Sequence, residues 1–250
     1  MFIYLYRSTR INDASRADAT LDQMIPVDRW GTLHGIVPFN GQSRSYRLTV
    51  VAREDNTQVY IGNMAISLNA GGSFSQNIDD RSYLTVESSQ PVMVAQMICV
   101  ESDNQFDSPA SMIVPPVEQF QSYYPVVIPI SSTVDVTYVA YLLLVMPDGQ
   151  QDHLMVDGSV PQLTWQRMTS QSGQTYVGSI LEVRTGRHNV ETNNGMAFGV
   201  MVYGAARRQC GFSYAAGQCL NVLTNFFPPP IPGTTLTTTA TPSTTNSKLA

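Results

Sequence analysis

Through most of the chain, apolar residues recur at every second position, the period of a strand with one buried face. The pattern predicts strands at YRLTVVAR (Tyr46 to Arg53), TQVYI (Thr57 to Ile61), MAISL (Met64 to Leu68) and SYLTVESS (Ser82 to Ser89). EDN and GN supply the turns between the first three, and LNAGGSF reads as a loop or bulge. PVMVAQMICV (Pro91 to Val100) differs from these. Met93, Ala95, Met97 and Cys99 share one face, and Val92, Val94 and Ile98 share the other with Gln96. Two apolar faces predict a central strand, with Pro91 at its first position, where a missing N–H is tolerated.

The second half repeats the plan. AYLLLVM matches YRLTVVA, HLMVDGS (His153 to Ser159) matches QVYIGNM, and MAFGVMVYG (Met196 to Gly204) matches PVMVAQM. SILEV followed by TGRHNVET predicts a hairpin, and the polar stretches RSTRINDASRADAT and ESDNQFDSPAS read as loops. No segment carries a helical period. A longer phrase also recurs about 90 residues apart: Pro26-Val27-Asp28 with Trp30, and Pro116-Val117-Glu118 with Phe120. Proline holds itself and the residue before it extended, so each copy predicts a corner that aims its aromatic at a core. The fold class expected is all-β: tandem related β-sandwich-like units with an internal repeat of about 90–105 residues. One β domain over 1–225, with sub-units of about 1–130 and 131–225, would precede a tail at 226–250.

That tail, FFPPPIPGTTLTTTATPSTTNSKLA, cannot bury a core and reads as a disordered, mucin-like, O-glycosylated linker, or as an unmodified spacer. Charged residues make up only 13% of the chain against a usual ~25%, and Ser, Thr, Asn and Gln take their place, which suits an extracellular β-protein. A net charge of −5 without a basic run argues against a nucleic-acid partner. The longest apolar run, Tyr138 to Met146, has strand length and argues against membrane insertion within the chain. FIYLY near the start lacks the features of a signal peptide and reads as the same long strand from a preceding, truncated copy, so the chain is expected to be a fragment. The cysteines are Cys99, Cys210 and Cys219. A disulfide between Cys210 and Cys219 would close a short loop; three reduced thiols, or Cys99 paired with either of the others, are the alternatives.

The chain carries few of the sequence signatures of catalysis or metal binding. There is no Gly-x-Ser-x-Gly elbow, phosphate loop or Gly-x-Gly-x-x-Gly. His34, His153 and His188 stand alone in or beside strands, without the close spacing of a zinc site. Asp79-Asp80, Asp148, Asp152 and Asp157 fall in turns. Glu101 to Asp107 carries alternating oxygen ligands without the remaining spacing of a calcium loop. No catalytic, metal-binding or cofactor-binding residue is expected.

YRLTVVAREDNTQVYIGN, PVMVAQMICVES, DSPASMIVPPVEQFQSYYPVVIP, HLMVDGSVP and AFGVMVYGAA with CGFSYAAGQCL occur in that order. Together they resemble the IgGFc-binding protein N-terminal domain family over roughly Phe2 to Leu220. The resemblance implies an extracellular, secreted, non-enzymatic module of mucus or epithelial-surface proteins. The expected role is structural or adhesive. The alternative is recognition of a protein or glycan, IgG Fc or mucin, with Tyr123, Tyr124 and Trp165 as candidate ligand contacts unless they serve core packing. A glycosidase-like enzyme is the third reading and would need a convergent carboxylate pair.

Overall fold

A computed structural model describes residues 7–11, 16–20, 22, 24–39, 45–98, 110–129, 138–206 and 210–217. Cys99, Cys219, FIYLY, the 101–107 acidic cluster and the 226–250 tail lie outside the described residues. The architecture is all-β, as the alternation predicts. Its strands are β1 (Arg7–Ile11), β2 (Arg16–Thr20), β3 (Gly31–Ile36), β4 (Ser45–Ala52), β5 (Thr57–Ile61), β6 (Met64–Leu68), β7 (Ser73–Asp79), β8 (Leu84–Ile98), β9 (Ser111–Val114), β10 (Tyr123–Ile128), β11 (Tyr138–Pro147), β12 (Leu154–Val156), β13 (Gln166–Thr169), β14 (Thr175–Val183), β15 (Gly186–Thr192), β16 (Gly199–Ala206) and β17 (Cys210–Ala215). All strand pairings among the described residues are antiparallel. β1 and β2 form a hairpin where a polar loop was expected; backbone hydrogen bonds need no apolar side chains, so a hydrophobicity pattern misses such a pair.

Seven strands gather around β8. Its first half pairs with β3 and β5, its second half with β4 and β9. The two strands expected on either side of Gln90 are therefore one strand of 15 residues, and Pro91 sits inside it. Pro91 is tolerated because the ladder changes hands there. β5 pairs as far as Ser88, β4 begins at Val92, and the β3 register shifts between Gly31 and Leu33. The missing donor falls at this irregularity, where the Pro91 carbonyl still accepts the Arg53 N–H and Ser88 Oγ donates to the Gln90 carbonyl.

The remaining strands form a five-stranded sheet, in the order β13-β14-β11-β16-β17, and a three-stranded sheet, β10-β15-β12. β14 and β15 thus belong to different sheets, which overturns the expected hairpin. Their apolar alternation is that of strands, but the short Arg184–Thr185 link turns the chain between layers. The pairing pattern matches that around β8. β15 pairs with β10 and β12 as the first half of β8 pairs with β3 and β5; β16 pairs with β11 and β17 as the second half pairs with β4 and β9.

The centre of the five-stranded sheet, β11 and β16, is buried on both faces. Tyr141, Leu143, Val145, Met201 and Tyr203 join the core against the seven-stranded sheet, while Ala140, Leu142, Leu144, Val200 and Val202 pack with Tyr124, Val126, Ile128 and Val190 of the three-stranded sheet. This is why β11 reads as a continuous apolar run. Sheets approach closely at Gly178, where an added Cβ would lie 2.8 Å from Tyr83 and 2.9 Å from Val37. Edge-on Phe39 and Tyr203 contacts, with Tyr141 stacked on Tyr203, fill the seam. β8 shows the expected division of faces: Val92, Val94 and Ile98 enter the main core, and Met93 and Ala95 pack with Trp30 and Ile113 on the other side.

Both repeated phrases form a single 3-10 turn, at Val27–Arg29 and Val117–Gln119. Arg29 N–H bonds the Pro26 carbonyl at 2.9 Å, and Gln119 N–H bonds the Pro116 carbonyl at 2.9 Å. The aromatic that follows returns to extended backbone in each: Trp30 at φ −69°, ψ 146° and Phe120 at φ −67°, ψ 152°.

Candidate recognition groove

The turns on one side of the seven-stranded sheet meet the edge of the five-stranded sheet and leave a shallow groove of about 540 Å³. Three separate stretches build it: the β5–β6 turn with Gly62 and Asn63, the end of β7 with the following turn through Leu84, and Gln166–Arg167 of β13. Gly62 has φ 54°, the left-handed geometry a two-residue hairpin turn needs. Asp79 shapes the next turn: its side chain accepts the Arg81 N–H at 2.9 Å and its carbonyl accepts the Ser82 N–H at 3.0 Å. The buried Tyr46 hydroxyl donates to the Ser82 carbonyl at 3.0 Å and ties the turn to the core. Burial, and then the Asp79 charge, push the Tyr46 hydroxyl pKa far up, so it stays a neutral donor.

The polar side chains facing this groove are largely uncommitted. Asn63, Gln76, Arg81, Gln166 and the Tyr83 hydroxyl make no side-chain hydrogen bond among the described residues. Arg167 is paired with Asp148 at 2.6 Å but is 69% exposed, so solvent weakens the pair. Tyr83 is half-buried, and burial raises its pKa. The floor is apolar, from Ile61, Ile78 and Leu84. Amides that both donate and accept, two guanidinium groups and an aromatic edge over an apolar floor suit hydroxyl-rich or peptide surfaces. No motif announces this site, because its residues come from three stretches; the one signal nearby was the Asp79-Asp80 turn.

The three candidate ligand contacts do not share one surface: Tyr123 and Tyr124 fall on opposite faces of β10, and Trp165 lies elsewhere. Tyr123 is 44% exposed on β10, with its hydroxyl donating to Asn189 at 3.0 Å. Tyr124 is buried, its hydroxyl donating to the Phe198 carbonyl and its ring edge-on to Phe198, so it serves the core. Trp165 is partly buried against the second core, next to the groove residue Gln166. Cys210 begins β17.

The histidines occupy three different settings. His34 is buried opposite Val86, and burial pushes its pKa down to about 3 against the Val86 backbone bond. His153 contacts Asn193 at 2.8 Å. His188 Nδ1 lies 2.7 Å from Asp157 and its Nε2 lies 2.8 Å from the Arg184 carbonyl, so both ring nitrogens face acceptors. Burial acts to raise the Asp157 pKa, but the Asn189 N–H and His188 together outweigh it and hold the carboxyl below its usual value. Asp157 and Gly158 also adopt positive φ in the turn predicted for them.

Glu118 escaped the sequence reading as an individual residue. Its Oε1 accepts both the N–H and the hydroxyl of Thr32, each at 2.8 Å, while Oε2 is buried without a partner among the described residues. The change from Asp28 to Glu118 between the two phrases was its only signal. Among the described residues, no three His, Cys, Asp or Glu side chains gather into a metal-binding group, and no helix is long and apolar enough to cross a membrane.

A family model described as IgGFc binding protein matches residues 6–204. No curated protein and no solved structure matches the chain.

Proposed function

Because the chain belongs to the IgGFc-binding protein family, we propose that it is an extracellular, non-enzymatic module that holds a rigid β-surface against protein or glycoprotein partners. The observation that carries this reading is the extent of the family match, which runs through the seven-stranded sheet, the three-stranded sheet and most of the five-stranded sheet. The layered core supports it, since a sheet covered on both faces makes a stiff scaffold for surface turns. We take residues 1–225 as one domain of two related sub-units, about 1–130 and 131–225, with β10 reaching across to pair with β15. Cys210 with Cys219 remains the proposed disulfide, and 226–250 the proposed O-glycosylated linker of a mucus or cell-surface protein.

A second reading, recognition of IgG Fc or mucin through the groove, is favoured by the uncommitted Asn63, Gln76, Arg81 and Gln166. Binding of the full chain to immobilised IgG Fc and to purified mucin tests both readings. Saturable, competable binding that Arg81→Glu with Gln166→Ala weakens at least tenfold supports recognition through the groove. Binding unaffected by those changes moves the contact elsewhere on the scaffold. Silence with both ligands counts against the recognition reading, and glycoside turnover abolished by a single carboxylate change overturns the non-enzymatic one.

A further inference from the structure

The outward face of the three-stranded sheet has a buried counterpart. His34 lies opposite Val86 on the β3–β8 ladder, and Tyr124 lies opposite Val190 on the β10–β15 ladder; both are buried. In that register Leu33 and Gly35 correspond to Tyr123 and Pro125. Leu33 and Gly35 face the five-stranded sheet, where a Cβ on Gly35 would overlap Val145. Thr85 and Glu87 secure the same contact, through the Thr169 carbonyl and the Ser172 N–H. Within this fold, then, the face is built to pack against another sheet.

On the second ladder nothing among the described residues covers it. Tyr123 is 44% and Val127 62% exposed, with exposed Pro125 between them. Across the ladder, Val127 stands opposite Arg187, Pro125 opposite Asn189 and Tyr123 opposite Glu191. Arg187 and Glu191 are ~13 Å apart along the strand, and neither side chain has a hydrogen bond or ion pair among the described residues.

We propose that this face binds the same face of a second copy of the chain about a twofold axis. An axis near Asn189 lays the Tyr123–Pro125–Val127 stripe on its own copy and sets each Arg187 against the Glu191 of the other copy, the self-complementarity an isologous contact requires. The outward face of β4 and β7 is the poorer occupant. It is polar, and its side chains already satisfy one another, Thr49 with Ser75 at 2.8 Å and Arg47 with Asn77 at 3.3 Å. Three short strands offer well under the ~800 Å² per partner of a standard stable interface, so the association is reversible and depends on concentration and salt.

Sedimentation velocity of the full chain, from about 1 µM to about 1 mM and at low and high salt, tests the proposal. The expected result is a monomer–dimer equilibrium that salt weakens and that Val127→Glu weakens at least tenfold. Arg187→Glu and Glu191→Arg should each weaken it, while the double swap, or an equimolar mixture of the two single variants, restores it. Thermal unfolding of each variant checks that the surface change leaves the fold intact. A monomer throughout, or association indifferent to Val127→Glu, overturns the proposal. Association lost in Val127→Glu but not restored by the double swap gives the face to another surface of the second copy and overturns the twofold arrangement.

Discussion

The two proline corners share a backbone and differ in what their acidic residue does. In the first, Asp28 is 64% exposed and lies a loose 3.7 Å from Arg29. In the second, Glu118 reaches across to β3 and takes both donors of Thr32. Their aromatics differ as well. Trp30 is buried among Met24, Met93 and Ile113, whereas Phe120 is partly buried and lies over Gly199, where an added Cβ would come within 2.5 Å of its ring. The shared Pro-Val-acid phrase therefore encodes a turn. One extra methylene in the acid, Glu in place of Asp, turns the second corner into a joint between sheets.

The largest effect that would test this contrast is Trp30→Ala, expected to cost roughly 3–5 kcal/mol by emptying the small core beneath the first corner; urea denaturation measures it. Glu118→Ala should cost about 2–3 kcal/mol, because it strands two donors of Thr32 that a carboxylate had satisfied. If Glu118→Ala proves as mild as Asp28→Ala, the joint does not exist as described. Gly199→Ala should cost about 2 kcal/mol by crowding Phe120, and a second change, Phe120→Leu, should recover part of that loss in a double-mutant cycle.

Acid sharpens the contrast one strand further on, where the first ladder carries His34 and the second carries Tyr124. The folded His34 pKa, about 3, lies below the ordinary 6.5. The neutral ring's contribution is thus complete above pH 6.5 and fades as pH falls from 6.5 toward 3. Between pH 7 and pH 5 the wild type should lose about 1–2 kcal/mol that His34→Gln does not lose; denaturation midpoints at the two pH values decide it. The smallest effect is Asp28→Ala, under about 0.5 kcal/mol, since the carboxylate is mostly exposed and its contact with Arg29 is long.

Local elements were well written into the sequence. Thr57–Ile61 and Met64–Leu68 match the alternation residue for residue, and the two-faced reading of Val92 to Ile98 holds because burial on both sides leaves no place for a polar face. What the alternation does not carry is partnership. It marks β14 and β15 as strands but cannot say that a two-residue link sends them to different sheets. It places a break at Pro91 because proline lacks a donor, whereas the structure brings the ladder's own irregularity to that residue. Of the candidate contacts, Tyr123 and Tyr124 are adjacent in sequence, so a strand must send them to opposite faces; which one faces water depends on the sheet beneath. The groove was the least legible part, since free polar side chains at turns look alike until the turns are brought together.

Coverage of β11 from both sides has a consequence in time. Its amides bond to β14 and β16 within a sheet roofed by two cores. Water reaches them only when both roofs lift together, so deuterium should enter β11 at the rate of global unfolding, long after it has entered the edge strands β6 and β13.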